Sequence, residues 1–171
     1  MLIQGSFLSS LLNLLPKKGL IKMYFTDNGE YKPSNVFIVW GSPGAGKSTY
    51  IKEHYEYGDI VVDLDYIKRA ISFLPKSEST NAISSVSIKI RDFLYDLISN
   101  ESIECKNIWV VSALPIKAKR IALSNRLGAK LIHIDTDKEE CLKRAMSDND
   151  RQNKDFQKII IDKYWKRYRP D

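Results

Sequence analysis

Residues 36–55 read VFIVWGSPGAGKSTYIKEHY, and they constrain the fold more than any other stretch of the chain. Val36–Trp40 is an unbroken apolar run. That is the pattern of a strand covered on both faces, as in a parallel sheet, and not of a strand with one wet side. The run breaks into Gly41-Ser42-Pro43-Gly44-Ala45-Gly46-Lys47-Ser48, which fits G-x-x-x-x-G-K-[ST]. Polar, helix-compatible residues follow at once, so strand, glycine turn and helix arrive as one unit.

Such a unit has a specific use. Glycines let consecutive backbone N–H groups turn inward, and the helix behind them presents its positive end, so together they cradle an anion. Gly41, Gly44 and Gly46 permit the turn and the close approach, and Ser42, Pro43 and Ala45 complete the loop. Lys47 can reach the β- and γ-phosphates of a nucleoside triphosphate, the Ser48 hydroxyl can ligate Mg²⁺, and Thr49 is placed for a further phosphate contact. ATP and Mg²⁺ are the expected ligands. A glycine turn without a ligand is the competing structural explanation. No N-K-x-D guanine motif occurs, which argues against a GTPase.

The remaining pattern alternates in the α/β manner. A short leading strand is expected at Leu20–Phe25, with a turn at Asp27-Asn28-Gly29. A helix should run from Lys47 to about Tyr57, a strand over Ile60–Leu64, and a short helix over Tyr66–Phe73. Ala82–Ser99 has the spacing of a long amphipathic helix. Ile108–Val111 reads as a strand, Pro115 as the start of a helix capped by Gly128, and Leu131–Ile134 as a further strand. Thr136-Asp137-Lys138-Glu139 has capping-box form. A last helix covers Lys154–Tyr168, bringing Phe156, Ile159, Ile160, Lys163 and Tyr164 together. The expected fold is a three-layer α/β domain with a mostly parallel sheet of four or five strands. Ligands of such sheets sit beyond the carboxyl ends of the strands. The glycine loop, Asp63-Leu64-Asp65, Ser112 and Asp135 all fall at such ends.

With 171 residues the chain suits one principal domain, here 31–171, behind an N-terminal extension, 1–30. Leu8, Leu11, Leu12 and Leu15 of the extension share a helical face, which fits a packing or partner-docking helix better than a signal peptide. No apolar stretch is long enough to span a bilayer. Cys105 and Cys141 lie far apart, and with only two histidines a zinc site is not expected. Reduced thiols and ATP use point to the cytoplasm, the host's if the gene is a phage's. The net charge of +6 suits an anionic partner, and Lys163, Lys166, Arg167 and Arg169 crowd the end. Those residues read either as a solvated helix face or as a phosphate-contacting surface.

GSPGAGKST between strand and helix, followed by IVVDLDYIKRAI at 60–71, resembles the small P-loop kinase-like NTPases. Polynucleotide kinases, the zeta-toxin-like AAA-type group and the gluconate- and shikimate-type kinases share this layout. The segments VVDLD (61–65), SALP (112–115), LGAKLIHIDT (127–136), CLKR (141–144) and WKRY (165–168) are similar to those of small phage and prophage members. The resemblance covers roughly Val36–Pro170. It implies that Asp65 accepts the proton of an acceptor hydroxyl, with Asp63 positioning it or the metal. It also implies that arginines of a lid, Arg151 and Arg144, neutralise transition-state charge. Asp65 could instead cap the following helix, Arg144 could pair with Glu140, and Lys68 and Arg69 could clamp an acceptor phosphate or lie exposed. One departure is plain: the strand at Ile108–Val111 ends in Ser112, where an acid would orient the metal.

Three functions compete. A phosphotransferase would move the γ-phosphoryl of ATP to a nucleic-acid end or a nucleotide, with Trp165 and Tyr168 either stacking on bases or packing in the core. An ATP-hydrolysing nucleic-acid partner protein, as in phage DNA processing, would use the same loop without kinase activity and dock through its N-terminal helix. A toxin- or sugar-kinase-like enzyme would shape a small-molecule pocket from residues 76–101.

Overall fold

Val36–Trp40 forms the buried strand its pattern demands. Strand β1 runs Asn35–Trp40, with Ile38, Val39 and Trp40 buried. The computed structural model describes residues 34–74 and 78–171. There β1 is followed by α1 (Lys47–His54), β2 (Ile60–Val62), α2 (Leu64–Ala70), α3 (Asn81–Ser99) and β3 (Asn107–Ser112). Then come α4 (Lys117–Leu127), β4 (Lys130–His133), α5 (Lys138–Ser147) and α6 (Lys154–Arg167). The four described strands form one parallel sheet in the order β2-β3-β1-β4. Trp40 at the end of β1 lies opposite Ser112 on one side and His133 on the other.

Alternate residues of the central strands serve opposite faces. Ile38, Trp40, Ile108 and Val110 pack with Tyr95 and Ile98 of α3 and Leu127 of α4. Val39 and Trp109 pack against Ile51 of α1. A third cluster, Ala45, Cys141, Ala145 and Ile161, joins the glycine loop to α5 and α6. Each large side chain so buried contributes about 1.5–3 kcal/mol. The expected α/β fold with helices on both sides of a parallel sheet is the observed one.

Several boundaries differ for local reasons. Helix α1 stops at His54, where Tyr55 turns extended, and does not continue to Tyr57. Helix α2 starts at Leu64 because Asp63 caps it, its carboxylate accepting the Asp65 N–H at 2.9 Å. Asp65 is therefore not the cap. Helix α4 starts at Lys117 and not at Pro115, after Leu114 at a φ of +44°. Gly128 caps α4 in the left-handed region, as expected. The buried face of α6 is Gln157, Ile161 and Tyr164, whereas Phe156 and Ile159 are exposed. Trp165 packs on the Cys141–Ile161 cluster and Tyr168 against the main core, so both are packing residues and not a stacking platform.

The N-terminal extension, its leucine face, its docking role and the strand expected at Leu20–Phe25 lie outside the described residues. Among the described residues, no helix is long and apolar enough to cross a membrane.

Candidate functional site

The glycine loop closes β1 and opens α1 through Gly46, which sits in the left-handed region at a φ of 104°. Gly46 offers no side-chain cap, and the first turn of α1 holds no acid. The amides at this end and the helix dipole therefore face outward without a local anion. Behind the loop stands α5. Ala45 is buried against Cys141 and Ala145. Its carbonyl accepts from the Thr136 hydroxyl at 2.9 Å and from Arg144 Nη1 at 3.0 Å. Gly44 has a φ of +84°, and a Cβ there would run into the Cys141 carbonyl oxygen. Glycine is required at 44 both for the turn and for the close approach of α5.

Lys47 is the most perturbed cation of the site. Its Nζ donates to the carbonyls of Gly41 at 3.0 Å and Ser42 at 2.8 Å. Burial pushes its pKa from an ordinary 10.5 down to about 8; the Asp63 carboxylate pulls it back up and the Arg151 charge pushes it further down. Both carbonyls are neutral acceptors, and phosphate oxygens would supply the charge that burial withholds. The loop, the open helix end and this ammonium together fit a polyphosphate.

These groups line a cleft of about 600 Å³. It is lined by Gly44, Gly46, Lys47, Ser48 and Thr49 of the loop and α1, by Asp63 at the cap of α2, by Asp65 and Lys68 of α2, and by Arg91 and Tyr95 of α3. Lys68 Nζ lies 3.3 Å from Asp65 Oδ1. Arg91 pairs with Asp92 at 2.8 Å and lies over the Tyr95 ring. Arg144 and Arg151 enter from α5 and the loop after it. Arg144 also pairs with Glu140 at 2.7 Å, the partner expected from its spacing. Arg151 is held by Asp148 at 2.9 Å and by Gln157.

Ser48 and Asp63 share the cleft, and they are the residues that would hold Mg²⁺. Among the described residues no group of three or more His, Cys, Asp or Glu could cage a metal. A hydroxyl and one carboxylate suit Mg²⁺, which keeps several waters and leans on substrate phosphates.

The sequence-predicted residues Lys47, Ser48, Thr49, Asp63, Asp65, Arg144 and Arg151 thus come together in one cleft, with Ser112 at its edge. Asp135 is not among the lining residues, and neither is Arg69. Arg91 and Tyr95 were not singled out from sequence. Their register on α3 relative to Asp65 depends on how α3 packs, which no local pattern reveals.

No protein-family model and no curated protein matches the sequence. Solved structures do share its fold. A chain from the Pnkp1/Rnl/Hen1 RNA repair complex aligns with a TM-score of 0.53 at 14% identity, over 84% of this chain and 49% of that one. A chain of another Pnkp1/Rnl/Hen1 complex structure aligns with a TM-score of 0.51 at 18% identity, over 68% of this chain and 40% of that one. Shikimate kinase from Acinetobacter baumannii in complex with shikimate aligns at 0.46 and 15% identity, over 79% and 80%. The present chain spans about half or less of the repair-complex chains. The repair-complex chains thus share its fold, a parallel α/β sheet flanked by helices.

Proposed function

We propose that this chain transfers the γ-phosphoryl group of ATP to a hydroxyl on an acceptor that bears negative charge of its own, a nucleic-acid end or a nucleotide. The observation that supports this reading is the order of charge in one cleft. Lys47 and the open end of α1 share the cleft with Asp65 and with the cations Lys68, beside Asp65, and Arg91. Uncharged sugars have no use for the last two.

In this reading the loop amides and Lys47 hold the β- and γ-phosphates. Ser48 and Asp63 hold Mg²⁺, which when bound draws charge off the phosphate oxygens. Asp65 orients the acceptor hydroxyl and takes its proton as the oxygen bonds to the γ-phosphorus. The bond from that phosphorus to the β–γ bridging oxygen breaks, and ADP leaves. Arg151 offsets the charge that builds on the transferring group, while Arg144 holds the loop from behind through the Ala45 carbonyl.

The test is transfer from γ-labelled ATP to 5′-hydroxyl DNA and RNA, nucleoside monophosphates and sugars, with Lys47→Ala and Asp65→Asn beside the wild type. Label on an anionic acceptor, lost in both variants, is expected. Free phosphate alone, raised by DNA and indifferent to Asp65→Asn, would overturn the reading in favour of a nucleic-acid-coupled ATPase.

A further inference from the structure

A second, smaller pocket of about 150 Å³ opens beside the cleft, between α1 and α2. Its floor is apolar: Ile51, Val61 and Val111. Tyr55 and Tyr66 also line it, and both are exposed, at 46% and 45%. Lys52 stands at its rim, with no ion-pair partner among the described residues. Ser48, Asp63 and Val111 line both this pocket and the main cleft, so the two are neighbours. Tyr66 directly follows Asp65, the residue placed at the acceptor hydroxyl.

We propose that this pocket takes a nucleobase of the acceptor, by stacking on Tyr55 or Tyr66 with Lys52 meeting the attached backbone. The proposal rests on the phosphotransferase reading for the word acceptor, and it narrows the substrate from charged acceptors in general to those carrying a base. The chemistry is that of single-strand binding. Open aromatic rings accept any base by its π-face, and a neighbouring cation answers the phosphate. A sugar phosphate would satisfy Lys68 and Arg91 and leave the tyrosine pocket empty.

The test uses the full chain and 3′-fluorescein-labelled single-stranded DNA and RNA with a free 5′-hydroxyl. Binding is read by anisotropy without ATP, and transfer from γ-labelled ATP is read in parallel. Tyr55→Ala and Tyr66→Ala should together weaken binding by about 5- to 150-fold, the range of one lost base stack, while Tyr→Phe at both positions stays near wild type. Both rings are exposed, and unchanged melting temperatures would confirm that the variants fold. An independent arm needs no variant: an abasic site walked along the 5′ positions should reproduce the loss at one position, and add nothing in the double alanine variant. Competition by a mononucleotide with the same tyrosine dependence assigns the pocket to a free nucleotide, and its failure assigns it to a strand. A flat abasic walk, or wild-type binding by the alanine variant, overturns the proposal. Transfer to the oligonucleotide that ignores the tyrosines would sink the pocket and keep the kinase. Tyrosine-dependent binding without any transfer would do the reverse.

Discussion

The Arg144 guanidinium reaches back 99 residues to donate to the Ala45 carbonyl at 3.0 Å, inside the glycine loop. The same oxygen accepts the Thr136 hydroxyl, so the loop is gripped from behind by the residue before the cap of α5 and by the second turn of that helix. The shape of the loop is therefore not a property of its glycines alone. Ala45 must be small to pack on Cys141 and Ala145, and its carbonyl must face Thr136 and Arg144 to be held.

This placement separates the two arginines. Arg144→Ala removes one of two donors to the loop from a half-exposed side chain, a loss of about 0.5–1.5 kcal/mol. The expected outcome is a roughly 2- to 12-fold rise in the Kd for ATP, with the chemical step little changed. Arg151 is more buried and sits close enough to Lys47 to depress its pKa. Arg151→Ala is expected to lower single-turnover transfer by roughly 10²–10³, the scale of one lost transition-state donor. Titration calorimetry and rapid quench separate the two; a large kcat loss in Arg144→Ala at unchanged ATP affinity would make it a second transition-state arginine instead.

Lys47 predicts a pH dependence of unusual sign. Its pKa is about 8 in the folded protein against 10.5 ordinarily. Between those values the unfolded chain binds more proton, so stability rises with pH across that window. Below it the folded protein bears the full penalty of a buried ammonium, about 3 kcal/mol on the scale of pKa shifts. Lys47→Met should therefore be more stable than wild type at neutral pH, and the gap should close as the pH rises through the window. A phosphate reverses the preference, because it favours the charged lysine. ATP binding should take up a proton above the folded pKa, and its Kd should rise toward tenfold per pH unit. A stability gap that stays constant across the window would show that burial does not penalise this ammonium.

The strand, loop and α1 were legible because one motif carries both their geometry and their chemistry. Lys47, Ser48 and Asp65 followed from it by adjacency and resemblance. What was not legible depended on distance. Arg120 reads as one more surface charge on a basic helix, yet it is fully buried, because its partners Arg169 and Asp171 come from the far end of the chain. Phe156 and Ile159 look like core, but α6 turns Gln157 and Ile161 inward in their place. Arg91 joined the site only through the packing of α3. The sequence presents two acids, Asp63 and Asp65, and a single hydrogen bond decides which of them caps α2.

That bond makes the two aspartates separable. Asp63→Ala removes the cap of α2 and should cost about 1 kcal/mol of stability, while Asp63→Asn, which can still cap, should cost only a few tenths. If Asp63 also holds the metal, Asp63→Asn will need far more Mg²⁺ for half-maximal activity at unchanged melting temperature. Asp65 caps nothing, and Asp65→Asn should leave melting and the Kd for ATP in place while transfer falls by roughly 10²–10⁴. Equal losses of stability in Asp63→Asn and Asp63→Ala would show that the charge, and not the cap, matters at 63.

Arg120 predicts where the fold is most brittle. Its guanidinium carbon stands 4.1 Å from the centre of the Trp40 ring, and its donors reach the Leu114 carbonyl at 3.0 Å, the Arg169 carbonyl at 2.6 Å and the Asp171 carboxylate at 2.8 Å. Trp40 in turn stacks on His133 at 3.8 Å. The clamp thus ties the segment after α6 to the turn that follows β3, where Leu114 is held at its positive φ beside Ser112 and Ala113 of the cleft. Arg120→Met leaves two carbonyls short of a donor and forfeits a desolvated cation–π contact, for an expected loss of about 2–4 kcal/mol. Asp171 is mostly exposed, so Asp171→Ala should cost under about 1 kcal/mol. Arg120→Lys should recover little, because one ammonium cannot replace a planar fork that serves three acceptors. Urea unfolding of the three variants measures this directly. Equal, small losses in Arg120→Met and Asp171→Ala would mean that the exposed ion pair, and not the buried fork, is all the clamp contributes.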